Sequence, residues 1–193
     1  MFTNITDIEK VFIALSEQLE SLGINHLAIV VCGGVALNVL RYVRRTTKDV
    51  DVIAFIESNV LVKAKPLKPL LLEAARKVQG DFNLPENWLN AGPADIMDFG
   101  LPEGLIKRAE IRKYGKILTI HFLSRYDQIH FKLHAAVDQG GKHYDDLLAL
   151  KPAAQELEDA ARWTMTHDVS DGYRKLLKSF LDHIGHKDVA DKL

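Results

Sequence analysis

Cysteine is nearly absent from this 193-residue chain: Cys32 stands alone, so no internal disulfide and no cysteine-built metal cluster can form. No apolar run approaches the roughly 20 residues that a membrane-spanning helix needs. The opening MFTNITDIEK also lacks the basic-then-apolar pattern of an export signal, and the expectation is a cytoplasmic protein with no membrane contact. An excess of one charge is missing too: 25 Lys and Arg face 26 Asp and Glu, which argues against a uniformly basic nucleic-acid binder. Local groups such as Arg41, Arg44, Arg45 and Lys48 still leave RNA open as a partner. There is no G-x-S-x-G elbow, Walker A loop or G-x-G-x-x-G turn, so serine-hydrolase, P-loop and dinucleotide chemistry fall away. His130 and His134 sit four apart, yet no Glu follows the first, which removes the zinc-hydrolase pattern.

What is present is a composition, 47% hydrophobic and 26% charged, that can build one substantial core with a helical appendage. Ile8, Val11, Phe12, Leu15, Leu19 and Leu22 recur at helical spacing, with Thr6 or Asp7 as the start cap and Gly23 as the stop. Residues 61–69 read as a basic, proline-punctuated connection, and Leu70 to Val78 as a helix. Residues 80–105 are rich in Gly, Pro, Asn and Asp and read as a long irregular segment near the active site. A hairpin follows, turning at Tyr114-Gly115-Lys116 into the strand Ile117–Leu123. From Ser124 onward the spacing is helical, with Pro152 in a first turn and Ser170 as a cap.

The chemistry concentrates between Cys32 and Asp51. Residues 27–32 (LAIVVC) form an apolar, β-branched run that predicts a buried strand, ending at Gly33-Gly34 where missing Cβ atoms permit a sharp turn and close approach of a ligand. A short helix from Val35 to about Tyr42 follows, and its start favours the negative charge of a triphosphate. The next strand, DVDVIAFI, carries Asp49 and Asp51 two residues apart, hence on one side, while Val50 and Val52 enter the core. A carboxylate set among those valines needs a cation partner. Mg²⁺ is commonly shared between one or two carboxylates and nucleotide phosphates, and Asp-x-Asp suits it. The competing reading is a strand edge that happens to carry two acids. Arg45 and Thr47 are either a phosphate contact and a pocket hydrogen bond or solvated residues before a strand.

These residues carry a resemblance. A hydrophobic strand, Gly33-Gly34, a helix and Asp49-x-Asp51 resemble the nucleotidyltransferase superfamily with the DNA polymerase beta fold, and Arg45, Thr47, Asp49 and Asp51 in R-x-T-x-D-x-D look like its AbiEii-type, toxin–antitoxin-related branch. Downstream, FKLHAAVDQGGKHYDDLLALKP (131–152) is similar to later motifs of that branch, with Lys132 and Asp146 at the matching positions and His143 where the family often has a further Asp. The resemblance implies an α/β core, a small mixed sheet flanked by helices, over residues 1–123, and a helical subdomain over 124–193 whose Lys132 and Asp146 close the nucleotide cleft. It implies a Mg²⁺-dependent transfer of a nucleoside monophosphate from a nucleoside triphosphate to an acceptor hydroxyl. The acceptor is an RNA, a protein or a small molecule, within or outside a toxin–antitoxin pair. Asp95 and Asp98 are candidates for a third carboxylate acting as base. The alternative is a non-catalytic nucleotide-binding or interaction module with the same fold.

Overall fold

The computed structural model describes Phe2 and residues 4–193. The chain divides into two compact units, one of Met1–Asp98 with Gly104–Ser124 and one of Phe99–Glu103 with Arg125–Leu193. Phe99–Glu103 joins the helical unit because Gly100 O accepts hydrogen bonds there, from Trp163 Nε1 at 3.2 Å and His167 Nε2 at 3.1 Å.

The first unit is an open mixed α/β sheet with helices against it. Its elements in chain order are α1 (Ile5–Ser21), β1 (Leu27–Cys32), α2 (Gly33–Val39), β2 (Val50–Glu57), β3 (Val60–Lys63), α3 (Pro69–Phe82), β4 (Leu89–Asn90), a 3₁₀ segment (Gly92–Phe99), α4 (Leu105–Arg108), β5 (Glu110–Tyr114) and β6 (Leu118–Phe122). The sheet order is β3-β2-β1-β6-β5, with β4 paired beside β2. β1 runs parallel to β6 and antiparallel to β2. All six residues of β1 are buried, as an uninterrupted LAIVVC run requires of a central strand covered on both faces. Ile8, Val11, Phe12, Leu15 and Leu19 of α1 are buried in the same core as Val31, Val52 and Phe122, so the helical spacing translates directly into packing.

Several elements differ from the sequence expectation. Asn4 caps α1 instead of Thr6 or Asp7: its Oδ1 accepts from Asp7 N at 2.9 Å. Residues 61–63, read as a connection, belong to β3, because Ser58 and Asn59 both take positive φ (48° and 64°) and fold the chain back on β2. α2 begins at Gly33 itself and stops at Val39, and α3 runs through Gly80 to Phe82. The irregular stretch contains β4, whose two residues pair in parallel with Val50 and Asp51.

The second unit contains α5 (Arg125–Gln139), α6 (Lys142–Ala149), α7 (Ala154–His167), α8 (Asp171–His183) and α9 (Lys187–Ala190). Ser170 caps α8, its Oγ accepting from Tyr173 N at 3.1 Å. α5, α7 and α8 meet through a polar chain: His134 Nδ1 lies 2.6 Å from Thr164 Oγ1, which lies 2.5 Å from Tyr173 OH. The His134 and His167 rings are 5.2 Å apart. Burial holds both imidazoles below their ordinary value of 6.5; the charge of His134 lowers His167 further, Asp138 and Asp168 oppose the shift at His134, and the Gly100 carbonyl opposes it at His167.

A lowered folded-state pKa means that the unfolded chain takes up these protons first. The stability contributed by the neutral pair is therefore intact above about pH 6.5 and is lost as pH falls from there through the folded values. Chemical denaturation between pH 7.5 and 5.5 is expected to show this decline, and His134→Gln/His167→Gln to flatten it. A wild-type stability that rises on acidification with the same slope in the variant contradicts the assignment.

Candidate functional site

β1 delivers the chain to Gly33, and β2 returns it with Asp51 directly opposite Cys32. Between these points the register of β1 on β2 shifts: Val31 faces Val52 while Val30 faces Ala54, leaving Ile53 as an extra residue. Such bulges re-aim the side chains beside them. Val50, Val52 and Ile53 are fully buried and Asp51 is half-buried, so the carboxylate points away from the core that its neighbours enter. The expected penalty of an enclosed charge is thereby eased.

Gly33 adopts φ +73°, and a Cβ there would collide with Asp51 Oδ2 and come within 3.3 Å of Asp51 Cγ. A Cβ on Gly34 would lie 2.6 Å from Thr47 Oγ1 and 3.0 Å from an Arg45 guanidinium nitrogen. The glycine pair thus lets Asp51, Thr47 and Arg45 gather against one short backbone segment, and each of these residues was a candidate from the sequence. Asp49 lies one residue before β2, is half-buried, and has buried Val50 between it and Asp51. Its carboxylate has no hydrogen-bond or ion-pair partner among the described residues.

Two asparagines that the sequence did not single out hold this arrangement. Asn38, in α2, donates from Nδ2 to Gly34 O at 3.0 Å and Arg45 O at 2.9 Å, and its Oδ1 accepts from Arg45 N at 3.2 Å. It locks the Arg45 backbone onto the helix that starts at the glycines. Asn90, in β4, donates from Nδ2 to Asp51 Oδ1 at 3.2 Å while its own Oδ1 accepts from Gly92 N at 2.8 Å. That second bond fixes which end of the amide faces Asp51. Thr47 is buried at 4% exposure and exchanges backbone hydrogen bonds with Phe2, at 2.8 and 3.1 Å.

Among the described residues no group of three or more His, Cys, Asp or Glu is arranged to hold an ion. Two aspartates do not make a cage for a resident metal; an ion held by them would have to keep waters or take its remaining ligands from a bound molecule. The proposed third carboxylates are occupied: Lys63 bridges Asp95 at 2.7 Å and Asp98 at 2.6 Å, and Lys65 also pairs with Asp95. Those hydrogen bonds hold Asp95 below the usual carboxylate range, which makes it a weak base.

Lys132 and Asp146 belong to the helical unit and meet each other there. Lys132 Nζ lies 2.8 Å from Asp146 Oδ2, with side-chain exposures of 5% and 1%. α5 contributes the lysine and α6 the aspartate, so the pair ties two helices together within that unit.

The crowding at Gly33 leads to a sharp expectation. Gly33→Ala combines a strained positive φ with overpacking against Asp51 and should cost about 2–4 kcal/mol. Gly23→Ala, at φ +81° with open space around it, should cost only about 1 kcal/mol. Equal losses for the two variants in urea denaturation would show that Asp51 does not press on Gly33.

No helix among the described residues is long and apolar enough to cross a membrane. Compared with known proteins, the chain matches no family model, no curated protein and no solved structure.

Proposed function

We propose that the protein is a Mg²⁺-dependent nucleotidyltransferase that moves a nucleoside monophosphate from a nucleoside triphosphate to an acceptor hydroxyl. The observation that supports this reading most is the gathering of Gly33, Gly34, Arg45, Thr47 and Asp51 in one place, with Asp49 two residues from Asp51. Asp49 and Asp51 would hold Mg²⁺, which when bound neutralises phosphate charge. Gly33 and Gly34 keep side chains out of the way of the phosphates, Arg45 offers its guanidinium to them, and Thr47 offers its hydroxyl. Asn90 holds the Asp51 carboxylate in orientation. The acceptor oxygen attacks the α-phosphorus, the bond to the leaving pyrophosphate breaks, and the hydroxyl proton passes to water.

Lys132 and Asp146 enter through the resemblance, as a cation that balances phosphate charge and the acid that holds it. Packing alone does not call for them, since an apolar pair can join two helices as well as a buried ion pair does.

A non-catalytic nucleotide-binding module is favoured by one specific observation, the engagement of Asp95 and Asp98 by lysines. Incubation with α-labelled nucleoside triphosphates, Mg²⁺ and separate pools of RNA, protein and small-molecule hydroxyl acceptors distinguishes the readings. Transfer of label with stoichiometric pyrophosphate supports the enzyme. Nucleotide binding without pyrophosphate from any pool gives precedence to the module.

A further inference from the structure

Where α2 ends, the chain turns through Arg41 and Arg44 beside the start of α1, and a cavity of about 410 Å³ opens among Asn4, Ile5, Asn38, Arg41, Val43 and Arg44. Its described lining carries two positive charges and no acid. Neither guanidinium has an ion-pair or hydrogen-bond partner among the described residues, whereas Arg112, Arg125 and Arg162 each have a glutamate. The polar atoms of Asn38 are already committed to Gly34 and Arg45, which makes that wall of the cavity rigid.

The backbone adds a separate observation. Arg41 follows the end of α2 with φ +63°, a left-handed position where glycine or asparagine is the inexpensive choice. Arg41 and Arg44 are both exposed, so an anion entering the cavity from solvent can reach either guanidinium.

We infer that this cavity is a binding site for a phosphate dianion, either free or as the terminal phosphate of a phosphomonoester. The planar guanidinium fork matches phosphate oxygens two at a time, and a single dianion neutralises both arginines at once. A neutral or cationic ligand gains nothing from a lining that carries two positive charges and no acid. The site is distinct from the aspartates proposed to hold Mg²⁺, and the inference does not rest on nucleotidyl transfer.

The test is a titration of the full chain at low ionic strength with inorganic phosphate and, separately, with adenosine 5′-monophosphate in the presence of a chelator, followed by amide NMR. Saturable shifts at Asn38, Arg41 and Arg44 are expected with both probes. Tighter binding of the monophosphate identifies a phosphomonoester as the better ligand, and equal or weaker binding identifies free phosphate. Arg41→Gly, which suits the left-handed backbone, and Arg44→Gln should each weaken binding about tenfold. Asp51→Asn should leave it unchanged. Absence of saturation below about 10 mM phosphate, or affinity unaffected by either arginine substitution, overturns the inference.

Discussion

Asp51→Asn is expected to slow Mg²⁺-dependent nucleotidyl transfer by about 10³-fold while leaving the fold intact. The size follows from what the carboxylate is asked to do. Placing a metal on transferring phosphate contributes several kcal/mol of charge stabilisation, and each 1.4 kcal/mol is about tenfold in rate. The fold survives because Asp51 is half-buried and its amide replacement still accepts the hydrogen bond from Asn90 at the same oxygen position. Asn90→Ala removes only that orienting bond and should cost far less, about tenfold. Measuring initial rates and the circular dichroism of both variants checks the ranking. An Asp51→Asn variant with undiminished rate removes the aspartate from the proposed mechanism.

The second large effect concerns Lys132 and Asp146. Asp146→Ala leaves an ammonium buried at 5% exposure with its acid gone, and should cost about 3–5 kcal/mol of stability. Lys132→Met/Asp146→Leu removes both charges and fills the space with apolar side chains, so its stability should return to within about 1 kcal/mol of wild type. Because this double variant folds, its activity is interpretable. Loss of transfer in it supports the charge-balancing role that the resemblance implies, and retained transfer reduces the pair to a bond between α5 and α6. A double variant as unstable as Asp146→Ala would show that the ion pair itself is indispensable to the helical unit.

A residue's role is legible in the sequence where that role is local. LAIVVC announced a central strand because every position is apolar, and α1 was visible because Ile8, Val11, Phe12, Leu15 and Leu19 share one face. The turn at Gly115 could be read because glycine at φ +59° joins two alternating segments. By contrast, β3 stayed hidden because its turn uses Ser58-Asn59 in place of glycine, and β4 because two residues have no period. Asn38 and Asn90 carry no local mark at all: a buried asparagine bonded to Arg45, or one oriented on Asp51 from 39 residues away, reads in sequence like any loop asparagine. Arg45, Thr47 and Asp51, the three residues around the glycine pair, could be named from the sequence, whereas the two asparagines that bond Arg45 and Asp51 required the tertiary hydrogen bonds. Asp95 and Asp98 show the opposite case, acids plausible as bases in sequence that the fold engages with Lys63 and Lys65.

Calorimetric titration of the wild-type chain with a nucleoside triphosphate, with Mg²⁺ and then with a chelator, tests the central claim most directly. Asp49 has no partner among the described residues and Asp51 has no third acid beside it, so the pair should bind metal and triphosphate together and neither alone with appreciable affinity. The account predicts a Mg²⁺-dependent component of saturable heat, lost in the chelator and lost again in Asp49→Asn/Asp51→Asn. Triphosphate binding as strong in the chelator, or in the double variant, as in the wild-type chain with Mg²⁺ would contradict it.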